Sequence, residues 1–292
     1  MRSLLFVPAD SQKKLEKGLG SGAEALIIDL EDSVVLERKA AARLAAAEFI
    51  RGAVASTPRP QIMVRVNGLT TGLTDDDLAA IVPARPDSIM LPKAEGAPSV
   101  VHVDAKLKVQ EAAAGLPDGH VKIVPLVTET AMSLFLAGSY RDCSARLIGL
   151  TWGAEDLSAD LGAEANRDAN GRFFEPYRFA RTICLTAAAA ARVQAIDTLG
   201  VDFRNLDALR AECEEARRDG FTGKLAIHPA QVPVINEVLS PTPEAIAHAA
   251  AIIAAFEAAP GAGTVQIEGV MFDIPHLNRA RNVLARAASL KR

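Results

Sequence analysis

The chain has 292 residues, 49% of them apolar but only 4% aromatic, and it sets 32 basic against 36 acidic side chains for a formal charge of −4. That balance gives no electrostatic case for nucleic acid, and the excess of Ala, Leu, Ile and Val favours helices packed on a sheet over an aromatic-rich sandwich. Cys143, Cys184 and Cys213 are scattered and lack metal-ligand spacing, so they are read as small core or near-surface residues of a reducing cytoplasm.

In chain order, "MRSLLFVPAD" places Arg2 ahead of an apolar run too short for a secretory leader, and the polar "DSQKKLEK" follows at once, so a first strand is expected there. Similar short runs recur: "ALIIDL", "QIMVRV", "SIMLP", "KIVPLV", "LIGLTWG", "QAIDTL" and "KLAIHP". Between them lie segments of helical period, such as "ERKAAARLAAAEFIRGAV" and "LDALRAECEEARRDG". Continuous apolar strands alternating with helices indicate a parallel sheet covered by helices, and eight units predict an α/β fold of the (β/α)8 TIM barrel type. A doubly wound sheet is the alternative, but no G-x-G-x-x-G turn follows the first strand. After "AIHPAQ" the pattern changes. Ser240, Pro241, Thr242 and Pro243 form a linker and helix start. The apolar stretch 245–259 is interrupted by His248 and Glu257 and falls short of a membrane span, so it is read as a packed helix of a soluble protein with no membrane partner. "VQIEGVMFDIP" reads as a short extended piece and "HLNRARNVLARAASL" as a final helix. The expected division is a barrel over 1–239 and a C-terminal extension over 240–292.

Barrel chemistry gathers at the C-terminal ends of the strands. Those ends carry Asp29, Glu31 and Asp32, then Arg65 and Asn67, Lys93, Glu129, Asp156 and His228. Glu129 and Asp156 each have a structural alternative, capping a helix or a turn. They lie one unit apart on expected neighbouring strands, and two carboxylates with waters and substrate oxygens suit Mg²⁺. Arg65 offers a planar fork for a substrate carboxylate. Glu31 and Asp32 are placed around the metal, accepting hydrogen bonds from its waters and balancing Arg65. Lys93 stands between a Schiff-base role and charge balancing, the second favoured. For His228 a structural role is favoured over acid–base work, and Asp197 and Asp202 are read as turn or cap residues.

Taken together, "RSLLFVPA", "DLEDSV", "VRVN", "LPK", "ET", "GAEDLSADLG", "GKLAIHPAQ" and "GVMFDIPH" occur in an order that resembles the citrate lyase β-subunit-like group of the HpcH/HpaI aldolase superfamily, which includes malyl-CoA and citramalyl-CoA lyases. The resemblance implies a TIM barrel with a C-terminal helical lid extension, a homotrimer and Mg²⁺. It implies Glu129 and Asp156 as metal ligands, Arg65 as carboxylate binder, and Asp273 as a lid acid reaching a neighbouring subunit's site. Arg2 and Lys13 are implied on the approach of a coenzyme A thioester. The activity implied is Mg²⁺-dependent cleavage of a 3-hydroxy-3-carboxyl acyl-CoA into a 2-oxoacid and an acyl-CoA. A malate-synthase-like or malyl-CoA thioesterase outcome, or a citrate lyase β subunit that needs an acyl-carrier partner, are the alternatives.

Overall fold

The computed structural model describes residues 1–290. Parallel strands and helices alternate from the start: β1 (Ser3–Pro8), α1 (Gln12–Leu19), β2 (Ala25–Asp29), α2 (Lys39–Val54), β3 (Gln61–Arg65), α3 (Thr74–Ile81) and β4 (Ser88–Leu91). The alternation continues through α4 (Gly96–Ala113), β5 (Lys122–Pro125), α5 (Ala131–Leu136), β6 (Gly149–Thr151), α6 (Glu155–Asp160) and α7 (Glu175–Ala191). It closes with β7 (Gln194–Asp197), α8 (Leu206–Asp219), β8 (Gly223–Ala226) and α9 (Gln231–Val238). The eight strands run in the order β5-β4-β3-β2-β1-β8-β7-β6. Isolated parallel bridges Ile123–Leu147 and Leu126–Thr151 join the two ends. The eight expected strands are therefore the staves of one TIM barrel.

Strand parity explains what fills it. Successive side chains alternate between faces, and Leu4, Ala25, Ile27, Met63, Met90, Val124, Ile196 and Leu225 form one buried cluster. Asp29 and Arg65 share the parity of Ala25–Ile27 and of Met63, so the inward face turns ionic where β2 and β3 end.

Ladder pairing is thinnest between β5 and β6, and a buried ionic clamp reinforces it. Arg146, just before β6, donates to Glu111 Oε1 and Oε2 at 2.7 Å each, to Asp104 at 2.6 Å and to the Val121 carbonyl at 3.1 Å. Glu111 in turn accepts the Gly119 and Val121 amides at 3.0 and 2.8 Å.

The chain forms two compact units, divided between Asn236 and Glu237, against the expected boundary at 239. In the second, α10 (Pro243–Glu257) starts at the Thr242 cap, whose side chain accepts the Ala245 amide. The run Gln231–Glu257 is long and apolar enough to cross a membrane by length and composition alone, but it is two helices, α9 and α10, parted at 239–242. Next comes a hairpin, β9 (Thr264–Ile267) and β10 (Val270–Asp273), and then α11 (Ile274–Ser289). The single extended piece expected over "VQIEGVMFDIP" is thus two antiparallel strands. Glu268 and Gly269, at φ 49° and 82°, turn the chain between them, the left-handed pair that a tight hairpin requires. Ala249, Ile252, Phe256, Phe272, Leu277 and Ala280 form this unit's own core.

Arg146 and Glu111 side chains are only 3% and 1% exposed. Arg146→Ala strands a buried carboxylate, and urea unfolding should show a loss of about 3–5 kcal/mol. A loss below about 1 kcal/mol would show that the clamp contributes no more than a surface pair.

Candidate active site

Register creates the first contact. Asp29 and Arg65 are direct partners in the β2–β3 ladder, and Arg65 Nε and Nη2 donate to Asp29 Oδ1 and Oδ2 at 2.7 and 2.8 Å. Burial opposes ionisation of Asp29, but the bonds and charge of Arg65 overcome it and hold the carboxyl below its usual range. The planar fork expected for a substrate carboxylate is therefore occupied by Asp29. What remains is Arg65 Nη1, 3.0 Å from Glu31 Oε2 and 3.6 Å from Asp32 Oδ2. The guanidinium rests 4.9 Å above the Phe6 ring.

Asp29 also organises its own loop, accepting the Glu31 amide at 3.0 Å and the Ser33 amide at 3.2 Å. Beneath it lies Lys39, a buried ammonium that sequence reasoning missed. Its Nζ donates to the Leu30 and Glu31 carbonyls and to Asn67 Oδ1, at 2.7 Å each. Asn67 is fixed in turn by Asp77, which accepts both its backbone and side-chain N–H at 2.7 Å. Asp77 is itself paired with Arg43. "IIDLEDSV" is acidic because each acid has a separate partner: Asp29 takes the fork, buried Glu31 faces Arg65 and Lys93, and exposed Asp32 sits at the rim.

On the opposite wall, Lys93 follows Pro92 at the end of β4 with φ 51°. Its amide donates to Glu129 Oε2 at 2.6 Å, while Nζ lies 2.7 Å from Glu31 Oε1 and 3.1 Å from Asp156 Oδ1. Burial lowers this ammonium's pKa, but Glu31 and the other acids raise it further, so the proton is held on. A Schiff-base lysine needs the reverse. Glu129 does not cap α5; Thr130 does, in a capping box with Ser133. Its carboxyl is buried instead, and that burial, reinforced by the charge of Asp156, pushes its pKa up to about 8. Burial likewise raises Glu31, partly offset by Arg65 and Lys93. Gly153 backs onto Glu129: an added Cβ would stand 3.1 Å from Oε1.

These residues fit a divalent cation. Asp29, Glu31, Asp32, Glu129 and Asp156 face three positive charges, those of Arg65, Lys93 and Lys39, which leaves an excess of two negative charges when all are ionised. Glu31 Oε2 is buried, with Arg65 Nη1 at 3.0 Å as its ion-pair partner and no hydrogen bond. Among the described residues no group of three or more His, Cys, Asp or Glu is set to enclose a metal alone. Glu129 and Asp156 would offer two carboxylates, leaving most of a hard cation's shell to water and substrate oxygen.

The other expected residues have surroundings of their own. Arg2 precedes β1 at the opposite, N-terminal end of the barrel, about 20 Å of strand away. Its backbone N–H and Nε donate to Glu24 at 2.6 and 2.7 Å, so it is placed to brace the N-terminal face. Lys13 is exposed in the first turn of α1, just beyond the C-terminal end of β1. Asp273 belongs to the second unit, where its side chain accepts the His276 amide as the N-cap of α11 and pairs with His276 Nδ1. That histidine holds the Asp273 carboxyl below its usual range. Asp197 is not a turn residue. It is buried, accepts from Trp152 Nε1 at 2.8 Å, and pairs with Lys224 at 3.1 Å. Asp202 does serve a turn, accepting the Arg204 amide at 3.1 Å. His228 is structural, its Nδ1 accepting the Ala230 amide at 3.1 Å and its ring stacked on Phe203.

The HpcH/HpaI aldolase/citrate lyase family model matches residues 2–229. The chain belongs to this family. A second model, a carbon–carbon bond lyase of the TIM-barrel fold, matches 174–290. Among relatives, a mitochondrial citramalyl-CoA lyase from Rattus norvegicus is 33% identical over 99% of this chain and 87% of its own. A (3S)-malyl-CoA thioesterase from Cereibacter sphaeroides is 36% identical over 99% and 95%. Among solved structures, protein CitE from Mycobacterium tuberculosis in complex with magnesium, acetoacetate and coenzyme A matches with a TM-score of 0.77 and 31% identity. That match covers 99% of this chain and 100% of that one. Membership makes the protein a carbon–carbon lyase by family.

A raised carboxyl pKa carries a stability signature. Glu129 ionises near 4.5 when unfolded and near 8 in the fold, so the native state holds the extra proton and stability falls as pH rises through that window. Glu129→Gln removes this dependence. In EDTA, thermal melts should show the variant gaining on wild type from about pH 5 to pH 8.5. A gap that stays constant with pH would mean that the Glu129 charge is already compensated in the fold.

Proposed function

We propose that the protein cleaves a 3-hydroxy-3-carboxyl acyl-CoA, of the malyl-CoA or citramalyl-CoA kind, into a 2-oxoacid and an acyl-CoA, with Mg²⁺ held by Glu129 and Asp156. The observation that carries this reading is the mouth itself, where buried Glu129, Asp156 and an Arg65-anchored acid cluster fall two positive charges short of neutral when every carboxyl is ionised. The neighbour solved with magnesium and coenzyme A, and the citramalyl-CoA lyase relative, support the same cofactor and substrate class.

When bound, the cation supplies electrostatic polarisation of the substrate's hydroxyl and carboxylate oxygens. Arg65 contributes Nη1 to the same carboxylate, its orientation fixed by Asp29. The hydroxyl passes its proton to solvent water, its oxygen becomes the carbonyl of the 2-oxoacid and the carbon–carbon bond breaks. The bonding pair passes to the α-carbon of the thioester, which takes a proton from Asp273. In the condensing direction Asp273 removes that proton, and its pairing with His276 favours the ionised form that this needs. Lys13, exposed beside the mouth, approaches the phosphates of the coenzyme. The second unit acts as a lid, and in a homotrimer the Asp273 of one chain serves the barrel of the next.

The thioesterase relative supports a second reading in which the thioester is hydrolysed with the hydroxyacid intact. Malyl- and citramalyl-CoA incubated with the protein and Mg²⁺ should yield glyoxylate or pyruvate with acetyl-CoA. Free thiol with intact malate or citramalate would establish hydrolysis instead.

Arg65→Lys keeps the charge but cannot both fork onto Asp29 and present a third nitrogen. We expect kcat/KM to fall by at least about 100-fold with the far-ultraviolet spectrum unchanged. Near-normal kinetics would remove Arg65 from the carboxylate pocket. Arg65→Ala and Asp273→Asn should each be inactive, yet regain about a quarter of wild-type activity when refolded together, since each composite site draws two halves independently. Mixed oligomers as inactive as the parents would rule out service across subunits.

A further inference from the structure

Lys93 occupies an unusual position. Its φ of 51° lies in the left-handed region, which a long side chain rarely adopts without compensation. The compensation is that one residue reaches three carboxylates. Its amide meets Glu129 Oε2 at 2.6 Å, and its ammonium stands 2.7 Å from Glu31 and 3.1 Å from Asp156. The other cations of the mouth are committed elsewhere: Arg65 to Asp29, Glu31 and Asp32, and Lys39 to carbonyl and amide oxygens. Lys93 is therefore the positive charge that neutralises Asp156.

We infer that Lys93 is a tethered counter-cation, which bridges Glu31 and Asp156 and competes with a divalent cation for Asp156. The inference rests on the assignment of Asp156 and Glu129 to the metal. A monovalent ammonium and a divalent ion drawn to the same oxygen repel each other, so Lys93 weakens metal binding while holding the acid cluster together. Metal entry frees the ammonium from Asp156 and leaves it on Glu31. Its side chain is 32% exposed, so it swings without opening the core. The site can then release and reload its metal without passing through a mouth of uncompensated carboxylates.

The test is calorimetric titration of Mg²⁺ into EDTA-treated, dialysed protein, with thermal melts of both states. Lys93→Met keeps an unbranched side chain of nearly the same length but drops the charge. It should bind Mg²⁺ more tightly, on the order of tenfold, while the metal-free form melts lower and gains more from added metal than wild type does. Lys93→Gln should tighten binding likewise if the methionine variant is insoluble, and Lys93→Arg should stay near wild type. Unchanged or weaker binding in both neutral variants, with Glu129→Gln still losing affinity, overturns the inference and leaves the metal assignment standing. Equal Mg²⁺ affinity in wild type and Glu129→Gln overturns the metal assignment and the inference together.

Discussion

The structure of the mouth depends on the pairing of Asp29 with Arg65. Parallel register makes them neighbours, and parity turns both inward, above a layer of Ala25, Ile27 and Met63. An aspartate there without its arginine is a buried unpaired charge, and an arginine without its aspartate has no reason to lie flat over Phe6. Fixing the fork on Asp29 aims the remaining nitrogen at Glu31 and Asp32, which lets two further acids crowd the same loop. Lys39 completes the platform from beneath by tying the loop carbonyls to Asn67. The order of dependence runs from strand register to salt bridge to loop to site.

Much of this was legible in the sequence because barrel logic converts chain position into place. Short apolar runs name the strands, and whatever polar residue follows each run lies at the mouth, so Asp29, Arg65, Lys93, Glu129 and Asp156 could be grouped before any coordinate. Partner choice was less legible. Arg65 reads as a free fork because nothing in "QIMVRV" reveals that Asp29 sits beside it; only the β2–β3 register does. Lys39 does not stand out in "ERKAAAR", since a buried ammonium with three oxygen partners has no local signature. Asp197 reads as a turn residue for the same reason, its partners Trp152, Arg181 and Lys224 being tens of residues away. The Glu268–Gly269 hairpin did carry a signal, a glycine between two alternating runs, and it was missed because glutamate seldom accepts a positive φ.

Asp273 shows how one position can serve structure and, in the proposed reaction, chemistry as well. As the N-cap of α11 it satisfies an amide that the helix leaves unpaired, and in doing so it stays ionised with His276 at its side. A cap position also fixes the carboxylate rigidly at the end of a hairpin rather than on a loose arm. A proton-transferring acid needs that definition, because a group free to turn spends little of its time aligned with a carbon acid.

Acid-rich clusters are common in barrels of this kind, and charge balance separates the functional one from the structural one here. Behind β7 and β8 runs a ladder of Arg167, Glu212, Lys224, Asp197, Arg181 and Asp219, bordering a cleft of about 1210 Å³. Three cations meet three anions, and burial of Asp197 is outweighed by Lys224 and Arg181, so its carboxyl sits below the usual range. Nothing in that network calls for an added ion. The mouth has the same residue types and falls short by two charges when every carboxyl is ionised, and there the buried carboxyls move the other way, Glu129 to about 8 and Glu31 upward. A protein does not keep a carboxylate buried at that cost for stability, since an apolar residue in its place is more stable. The deficit is thus the physical mark of a site shaped for something that arrives from solution carrying positive charge.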